Sequence, residues 1–241
     1  MTALVVTGTG TSVGKTVVTA ALAALNPSCA VVKPVQTGDD SDISVVRRLS
    51  GVTDTHELVS YPDPLSPEAA ARVSGRKPPD LSAFAAYIQS LPNDLVLVEG
   101  AGGLLVRYDP AGSTLADLAA MLDAPVLVVV QAGLGSLNHT ALTLEALRAR
   151  GLTCAGVVIG SWPASPGLAE RENLADLRTL ADGPLAGVLP SGASPLTCAE
   201  FLPVARAGLS PAFGGTFGGD PRAGRCDIDR ALPRSMSHRP G

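Results

Sequence analysis

Short apolar runs alternate along the chain with longer segments in which apolar residues recur at a helical period. The apolar runs predict strands at Leu4–Val6, Ala30–Val32, Leu95–Val98, Val126–Val130, Ala155–Ile159 and Ala186–Leu189. The longer segments predict helices at Lys15–Leu25, Asp42–Leu49, Leu81–Leu91, Leu115–Leu122, Ser136–Arg150, Leu168–Leu180 and Cys198–Ala207. The strands are apolar throughout, which is typical of a sheet that helices cover on both faces. The pattern therefore predicts an α/β fold, a three-layer sandwich around a mostly parallel sheet.

Composition narrows the classes of partner. The chain has 241 residues and a formal net charge of −4, without a basic cluster, so we expect neither nucleic acid nor a membrane as its main partner. No apolar run approaches the ~20 residues that span a bilayer, and the start MTALVVTG lacks the charged segment of a signal peptide. The four cysteines are scattered, which favours reduced thiols and a cytoplasmic protein.

The character of the chain changes after Phe213. Residues 214–241 are rich in Gly, Pro and Arg and contain few large apolar side chains. Such a segment cannot bury enough apolar surface to offset the entropy lost on ordering. We therefore predict a single domain over residues 1–213, followed by a disordered tail.

Six polar, glycine-containing stretches follow the predicted strands. In chain order they are TGTGTSVGKT, KPVQTGDDSD, EGAGGLL, QAGLGSLNH, GSWPASPG and PSGAS. In open α/β sheets, ligands bind at the carboxyl ends of the strands. The stretches thus predict one phosphate-binding crevice at one edge of the sheet.

The first stretch is close to a phosphate-binding loop. The strict pattern G-x-x-x-x-G-K-[ST] requires glycine where Thr9 stands, and Gly8 and Gly10 flank that position instead. A strand before the loop and a helix after it favour a true phosphate loop over a chance glycine-rich turn. Lys15 would reach the β- and γ-phosphates, and the hydroxyl of Thr16 would bind Mg²⁺.

Two carboxylates are candidate Mg²⁺ ligands. Glu99 ends a buried strand and precedes glycines that allow close backbone approach, which favours metal binding over simple exposure to solvent. Asp42 stands at a predicted helix start, where metal binding and a solvated acidic loop remain equally open.

Another helix start, at Ser136 and Asn138, can hold a carboxylate through its free N–H groups. A lone histidine at a helix start is more typical of capping or packing than of a base, and we expect the former for His139. We expect Trp162 to be a packed aromatic residue.

The motifs VTGTGTSVGKT, KPVQTG, VEGAGGLLV, LGSLNHTALTLEALRARGL and AGVVIGSWP occur in this order. Together they resemble dethiobiotin synthetase over roughly residues 1–192, and their order is more specific than any one of them. That family has a P-loop NTPase-type fold whose phosphate loop carries one additional residue. The resemblance therefore accounts for the displaced glycine.

The resemblance implies a reaction of biotin biosynthesis, its penultimate step. 7,8-Diaminopelargonate takes up CO₂ as a carbamate, MgATP phosphorylates the carbamate, and the second amine closes the ureido ring with release of ADP and phosphate. Mg²⁺ is the implied cofactor and ATP the co-substrate. The implied assembly is a homodimer.

The resemblance also implies roles for individual residues. Lys15 and Lys33 match catalytic lysines, and Thr16, Asp42 and Glu99 match the Mg²⁺ ligands. The implied nucleotide site comprises Ser12, Val13, Gly14, Lys15, Thr16, Val17, Asp42, Glu99, Gly100, Ala101 and Gly102, with Gly160, Ser161, Pro190, Ser191 and Gly192 around the base. The implied substrate site comprises Thr37 and, across the dimer interface, Gly135, Ser136, Leu137 and Asn138.

Two positions depart from the family pattern. Gly160 stands where many members have asparagine in the loop that reads the base, so we expect loose base selection and use of other nucleoside triphosphates besides ATP. Ser12 replaces an acidic residue of some members, which makes the loop less negative.

Other classes with related folds fit less well. A partition ATPase would carry a second lysine five residues before Lys15, where Gly10 stands. A small GTPase would carry an N-K-x-D motif after Ile159. A cobyrinate-type amidase would need an additional glutaminase domain.

Overall fold

The computed structural model describes residues 2–218 and contains a seven-stranded sheet in the order β3-β2-β4-β1-β5-β6-β7. The strands are β1 Thr2–Gly8, β2 Ala30–Thr37, β3 Thr55–Tyr61, β4 Leu95–Gly103, β5 Val126–Val130, β6 Cys154–Trp162 and β7 Gly187–Pro190. Every neighbouring pair of these strands is parallel. The predicted parallel sheet is therefore confirmed.

Helices cover both faces of the sheet. They are α1 Lys15–Leu25, α2 Asp42–Ser50, α3 Pro67–Ser74, α4 Leu81–Ser90, α5 Leu115–Met121, α6 Ser136–Ala149, α7 Leu168–Leu180 and α8 Cys198–Gly208. None of the helices in the part of the chain that the structure describes is long and apolar enough to cross a membrane.

Two apolar cores lie on opposite sides of the sheet because successive residues of a strand point to opposite faces. Val5, Val96 and Val98 belong to the core beneath α3–α7, whereas Leu4, Val6 and Leu97 belong to the core beneath α1, α2 and α8. Strands that serve two cores need apolar residues at every position, which is the pattern from which they were predicted. The three-layer architecture is confirmed.

The sequence analysis missed β3 and α3. β3 lies at the edge of the sheet, and most of its side chains are only partly buried, so its sequence THELVSY lacks an apolar run. α3 begins at Pro67, inside the proline-rich stretch YPDPLSPE, which has no helical apolar pattern. A proline fits the first turn of a helix, where its missing N–H has no intrahelical partner.

Three strands extend into segments that were predicted as loops. β2 runs through Lys33 to Thr37, β4 runs through Glu99 to Gly103, and β6 runs through Gly160 to Trp162. Lys33 is therefore inside a strand rather than after it, which fixes its backbone more firmly than a loop would.

The predicted boundary at Phe213 is too early. Phe217 is 7% exposed and belongs to the apolar core, and its N–H donates to the carbonyl of Leu209 at 2.8 Å. Thr216 N–H donates to Arg206 O at 2.7 Å. These apolar and backbone contacts hold residues 214–218 against α8, so the prediction of disorder is wrong for them. The rest of the predicted tail, residues 219–241, lies outside the described residues.

Candidate nucleotide and metal site

The phosphate loop connects β1 to α1. Gly14 adopts the left-handed conformation, with φ of +94°, immediately before the helix begins at Lys15. No side chain caps this helix start, so its first N–H groups are available to an anion. Of the two flanking glycines, Gly8 is required sterically, because an added Cβ would lie 2.6 Å from Val13 Cγ2, whereas Gly10 has open space.

Lys15 is turned back into this loop. Its side chain is buried, and Nζ donates to the carbonyl of Gly10 at 2.9 Å. Burial and the nearby charge of Lys33 lower its pKa from 10.5 to about 8. An anion placed among the loop N–H groups would relieve this electrostatic cost.

Three oxygen-bearing side chains converge beside the loop. Thr16 Oγ1 lies 3.0 Å from Asp42 Oδ1 and 2.8 Å from Glu99 Oε1. Asp42 is the first residue of α2, whose start is fixed by Ser41, because the Ser41 side chain accepts from Ser44 N–H. The structure thus brings together the three residues predicted as metal ligands.

The donor set suits Mg²⁺. Two carboxylates and a hydroxyl are hard oxygen ligands, and Mg²⁺ in nucleotide sites takes one or two carboxylates together with phosphates and water. Residues 2–218 contain no group of three or more His, Cys, Asp or Glu side chains placed to hold a metal. Such an all-protein cage is not what a Mg²⁺–nucleotide site requires.

Lys33 is the counter-ion of both carboxylates. Its Nζ lies 2.5 Å from Asp42 Oδ2 and 2.9 Å from Glu99 Oε1. Burial alone would lower the pKa of Lys33, but the two carboxylates outweigh it and raise the pKa above its ordinary value. Burial likewise opposes ionisation of Asp42, yet the Lys33 ammonium holds the pKa of that carboxyl below its usual range.

These groups line a cleft of about 810 Å³ at the carboxyl edge of the sheet. The predicted site residues in its lining are Ser12, Gly14, Lys15, Thr16, Val17, Lys33, Thr37, Asp42, Glu99, Ala101 and Gly102. The sequence analysis missed the opposite wall, formed by residues 64–67 and Val106, and also missed Gln36. The first omission follows from the failure to predict α3, since Ser66 and Pro67 lie at its start.

The two predicted base loops lie outside the lining of the cleft but beside the phosphate loop. A Cβ added to Gly160 would lie 2.2 Å from Val13 O and 3.1 Å from Gly14 Cα, so the backbones are in direct contact. Ser191 N–H donates to Trp162 O at 2.7 Å, which joins the segment at Pro190–Gly192 to the end of β6. Trp162 is buried in the core, as expected for a packing residue.

The predicted carboxylate-binding turn at Gly135–Asn138 does not line the cleft of its own chain. Ser136 is buried and its hydroxyl donates to Gln131 O at 2.5 Å, so this side chain serves the turn. Gly135 and Asn138 are exposed, Leu137 is half-buried, and Gly135 has φ of +86° before the helix starts. His139 is exposed on the same helix.

Solved structures with this fold include McdA in its apo form from Cyanthece, with a TM-score of 0.53 and 16% identity over 89% of this chain and 100% of that one. A ParA family ATPase from Chlorobium tepidum has a TM-score of 0.51 and 13% identity over 95% and 98% of the two chains. At these identities the likeness shows the P-loop NTPase fold alone. A family model described as an AAA domain matches residues 2–194.

Curated relatives are much more similar in sequence. A protein of Frankia casuarinae named ATP-dependent dethiobiotin synthetase BioD is 65% identical, covering 90% of this chain and 95% of its own. Proteins of the same name from Saccharopolyspora erythraea and Streptomyces coelicolor are 58% and 52% identical, covering 90% and 91% of this chain and 99% and 97% of their own. The resemblance drawn from the five motifs is confirmed. The chain belongs to the dethiobiotin synthetase family.

Proposed function

We propose that this chain is an ATP-dependent dethiobiotin synthetase that joins CO₂ to the two amines of 7,8-diaminopelargonate. The observation that carries the proposal is the convergence of Lys15, Thr16, Lys33, Asp42 and Glu99 in one cleft beside a phosphate loop. A cleft that holds two cations and two carboxylates suits a phosphoryl transfer, in which catalysis is mostly positioning and charge stabilisation.

Thr16, Asp42 and Glu99 would hold Mg²⁺, which supplies neutralising charge to the phosphates when bound. The loop N–H groups and Lys15 bind the triphosphate. The carbamate oxygen attacks the γ-phosphorus, and ADP leaves with the electrons of the broken P–O bond. The second amine then attacks the carbamoyl carbon and loses a proton to solvent, the ureido C–N bond forms, and the C–O bond to the phosphoryl group breaks as phosphate departs.

Lys33 stabilises the negative charge that develops in these steps. It is fixed by β2 and buried, so its ammonium is oriented before the reaction begins. The charge of a divalent cation held by Thr16, Asp42 and Glu99 would compensate the two carboxylates that now pair with Lys33, and would leave its ammonium available to the carbamate and the γ-phosphate. Thr37, at the end of β2 in the same cleft, contacts the diamine or its carbamate.

The active unit in this proposal is a homodimer. The turn at Gly135–Asn138 presents exposed backbone at a helix start, where a substrate carboxylate binds favourably. The turn does not line the cleft of its own chain, so in this proposal it serves the cleft of a second copy across an interface. The segments at Gly160–Ser161 and Pro190–Gly192 surround the base through backbone groups. Because ATP is the co-substrate, the cytoplasm is the proposed compartment.

A coupled ADP-release assay with mass detection of dethiobiotin tests the reaction. ADP release should require diaminopelargonate and dissolved CO₂, and dethiobiotin should appear in equal amount. Glu99→Gln should abolish most of the turnover, whereas Glu57→Gln, a change at an exposed carboxylate on β3, should not. ADP release that is indifferent to the diamine would refute the proposed substrate.

A further inference from the structure

The glycine-rich end of β4 contains a bulge beside the catalytic lysine. Val6 pairs with Glu99 and Gly8 pairs with Gly103, so Thr7 alone of β1 faces Gly100, Ala101 and Gly102 of β4. Residues added to one strand of a pair lose their ladder partners, and bulges of this kind redirect side chains near active sites. This bulge begins immediately after Glu99.

The bulge carries groups that the reaction needs. The carbonyl of Gly100 accepts from Lys33 Nζ at 3.3 Å, and Ala101 and Gly102 line the cleft. A small displacement of the bulge would therefore move an acceptor of Lys33 and the end of the strand that holds Glu99. A side chain at Gly100 has no space, since its Cβ would lie 2.2 Å from Leu115 Cδ2.

The N–H of Ala101 is anchored by a buried side chain. Ala101 N–H donates to the hydroxyl of Tyr108 at 3.1 Å, and Tyr108 is fully buried. The loop that carries Tyr108 is itself braced. Tyr108 N–H donates to Ser113 O at 2.8 Å, and Arg107 and Thr114 form an antiparallel bridge.

We infer that Tyr108 is a positioning residue, which holds the β4 bulge through Ala101 and thereby sets Glu99 and the Gly100 carbonyl against Lys33. Tyr108 is fully buried and does not line the cleft in which we propose that the nucleotide and the substrate bind. Its effect on turnover is transmitted through the backbone. This inference rests on the proposed role of Lys33 and Glu99 in catalysis.

Tyr108→Phe keeps the ring and removes the acceptor of the Ala101 N–H. The matched control is Tyr61→Phe, because Tyr61 is also buried and its hydroxyl donates to Lys77 O at 2.6 Å, away from Lys33 and Glu99. Both variants lose one hydroxyl hydrogen bond, so both should show similar, small decreases in melting temperature. Bound ADP in calorimetry checks that each variant is folded.

Tyr108→Phe should lower kcat roughly 10- to 100-fold, as expected for a small misplacement of reacting groups, while KM and Kd for ATP stay within a few fold. Tyr61→Phe should leave kcat unchanged. Equal kcat in the two variants would overturn the inference, as would a fall in kcat matched by lost nucleotide affinity. Lys33→Ala is measured alongside to test the proposed role of Lys33 separately. If kcat falls in Lys33→Ala but is normal in Tyr108→Phe, only the role of Tyr108 is rejected. Normal turnover in Lys33→Ala rejects the proposed catalytic role of Lys33, and this inference with it.

Discussion

The ammonium of Lys33 and the carboxylate of Glu99 meet across adjacent parallel strands, with Nζ 2.9 Å from Oε1. Both side chains are almost fully buried, where a charge without a partner is costly. Thr16 approaches the same Glu99 oxygen at 2.8 Å, which links the strand pair to the start of α1. The sheet thus places a cation beside Glu99, one of the proposed Mg²⁺ ligands.

Lys15 should destabilise the nucleotide-free protein. Its pKa is lowered from 10.5 to about 8, so between these values the unfolded chain binds more protons than the folded one and stability rises with pH. At pH 7 the shift corresponds to roughly 3 kcal/mol of folding free energy. Lys15→Met should therefore stabilise the nucleotide-free protein at pH 7 and remove most of the rise toward pH 10.

Urea unfolding of both proteins at several pH values measures this effect. Lys77→Met is the control, because Lys77 is exposed. A Lys15→Met protein less stable than the unsubstituted chain at pH 7 would contradict the prediction.

Base selection should be loose. Gly160 packs on Val13 and Gly14, so the position expected to read the base carries no side chain and has no space for one. CTP and GTP should support turnover within about tenfold of ATP, since one lost base contact is worth ~1 kcal/mol. The measurement is kcat/KM for each triphosphate at saturating diamine and Mg²⁺. A thousandfold preference for ATP would show that another group reads the base.

The contact of Gly160 with Val13 also predicts the effect of placing asparagine at position 160. Gly160→Asn should damage the phosphate loop and weaken binding of every nucleotide, rather than create a preference for ATP, because its Cβ would meet Val13 O at 2.2 Å. Gly183→Asn is the control, because an added Cβ at that glycine meets nothing within 4 Å. Calorimetry with ADP and CDP distinguishes a general loss from a gain in selectivity.

The segment around Phe217 should stabilise the domain. Ending the chain after Gly214 removes a buried phenylalanine and the hydrogen bonds of residues 216 and 217 to α8 and Leu209. Losses of this kind cost roughly 3 kcal/mol, which lowers the melting temperature by about 5–10 °C in a domain of this size. Ending it after Gly218 should change neither melting temperature nor turnover, as the composition of residues 219–241 predicts. Equal melting temperatures for the two truncated chains would show that Phe217 contributes nothing.

Chains with complementary defects should restore activity if the substrate site spans a dimer. Mixing Lys15→Ala with Asn138→Ala chains creates dimers in which one site combines an intact phosphate loop with an intact turn at Gly135–Asn138. Two affinity tags allow the mixed dimer to be purified, and its turnover is compared with that of each parent. Mixed dimers no more active than the parents would indicate that each site lies within one chain.

The sequence was sufficient for most of the fold and for the centre of the site, for physical reasons. Strands buried on both faces have an uninterrupted apolar pattern, and the phosphate loop has a fixed local spacing around Lys15. β3 was not predicted because an edge strand buries too few of its side chains to require an uninterrupted apolar pattern. The choice between metal binding and solvent for Asp42 depended on where α2 lies relative to Thr16, which local sequence does not determine.

Contacts between distant segments could not be predicted for the same reason. The packing of Gly160 on the phosphate loop joins β6 to the β1–α1 connection, and the Tyr108–Ala101 hydrogen bond depends on how the loop after β4 folds back. No local sequence pattern around Gly160 or Tyr108 specifies these contacts. Tertiary packing fixed both.

Lys33 and Lys15 should differ in what they contribute. Lys15 lies within the phosphate loop, where we propose that it contacts phosphate already in the ground state, so Lys15→Ala should weaken nucleotide binding as well as turnover. Lys33 helps to the extent that it binds the developing negative charge better than the ground state. Lys33→Ala should therefore lower kcat by roughly 10²–10³, the usual loss for one such electrostatic group, while ATP affinity stays within a few fold.

The ion pairs of Lys33 with Asp42 and Glu99 raise a competing interpretation, in which the lysine is merely their structural counter-ion. Removing one partner of a buried pair typically costs 3–5 kcal/mol, so the melting temperature of nucleotide-free Lys33→Ala should fall in either case. Saturating MgADP should recover much of that loss if Mg²⁺ can take over the two carboxylates. Turnover decides between the interpretations, measured at a temperature where MgADP binding shows the variant to be folded, with Lys77→Ala as the control. A Lys33→Ala protein with near-normal kcat would leave Lys33 a role in folding and none in the phosphoryl transfer.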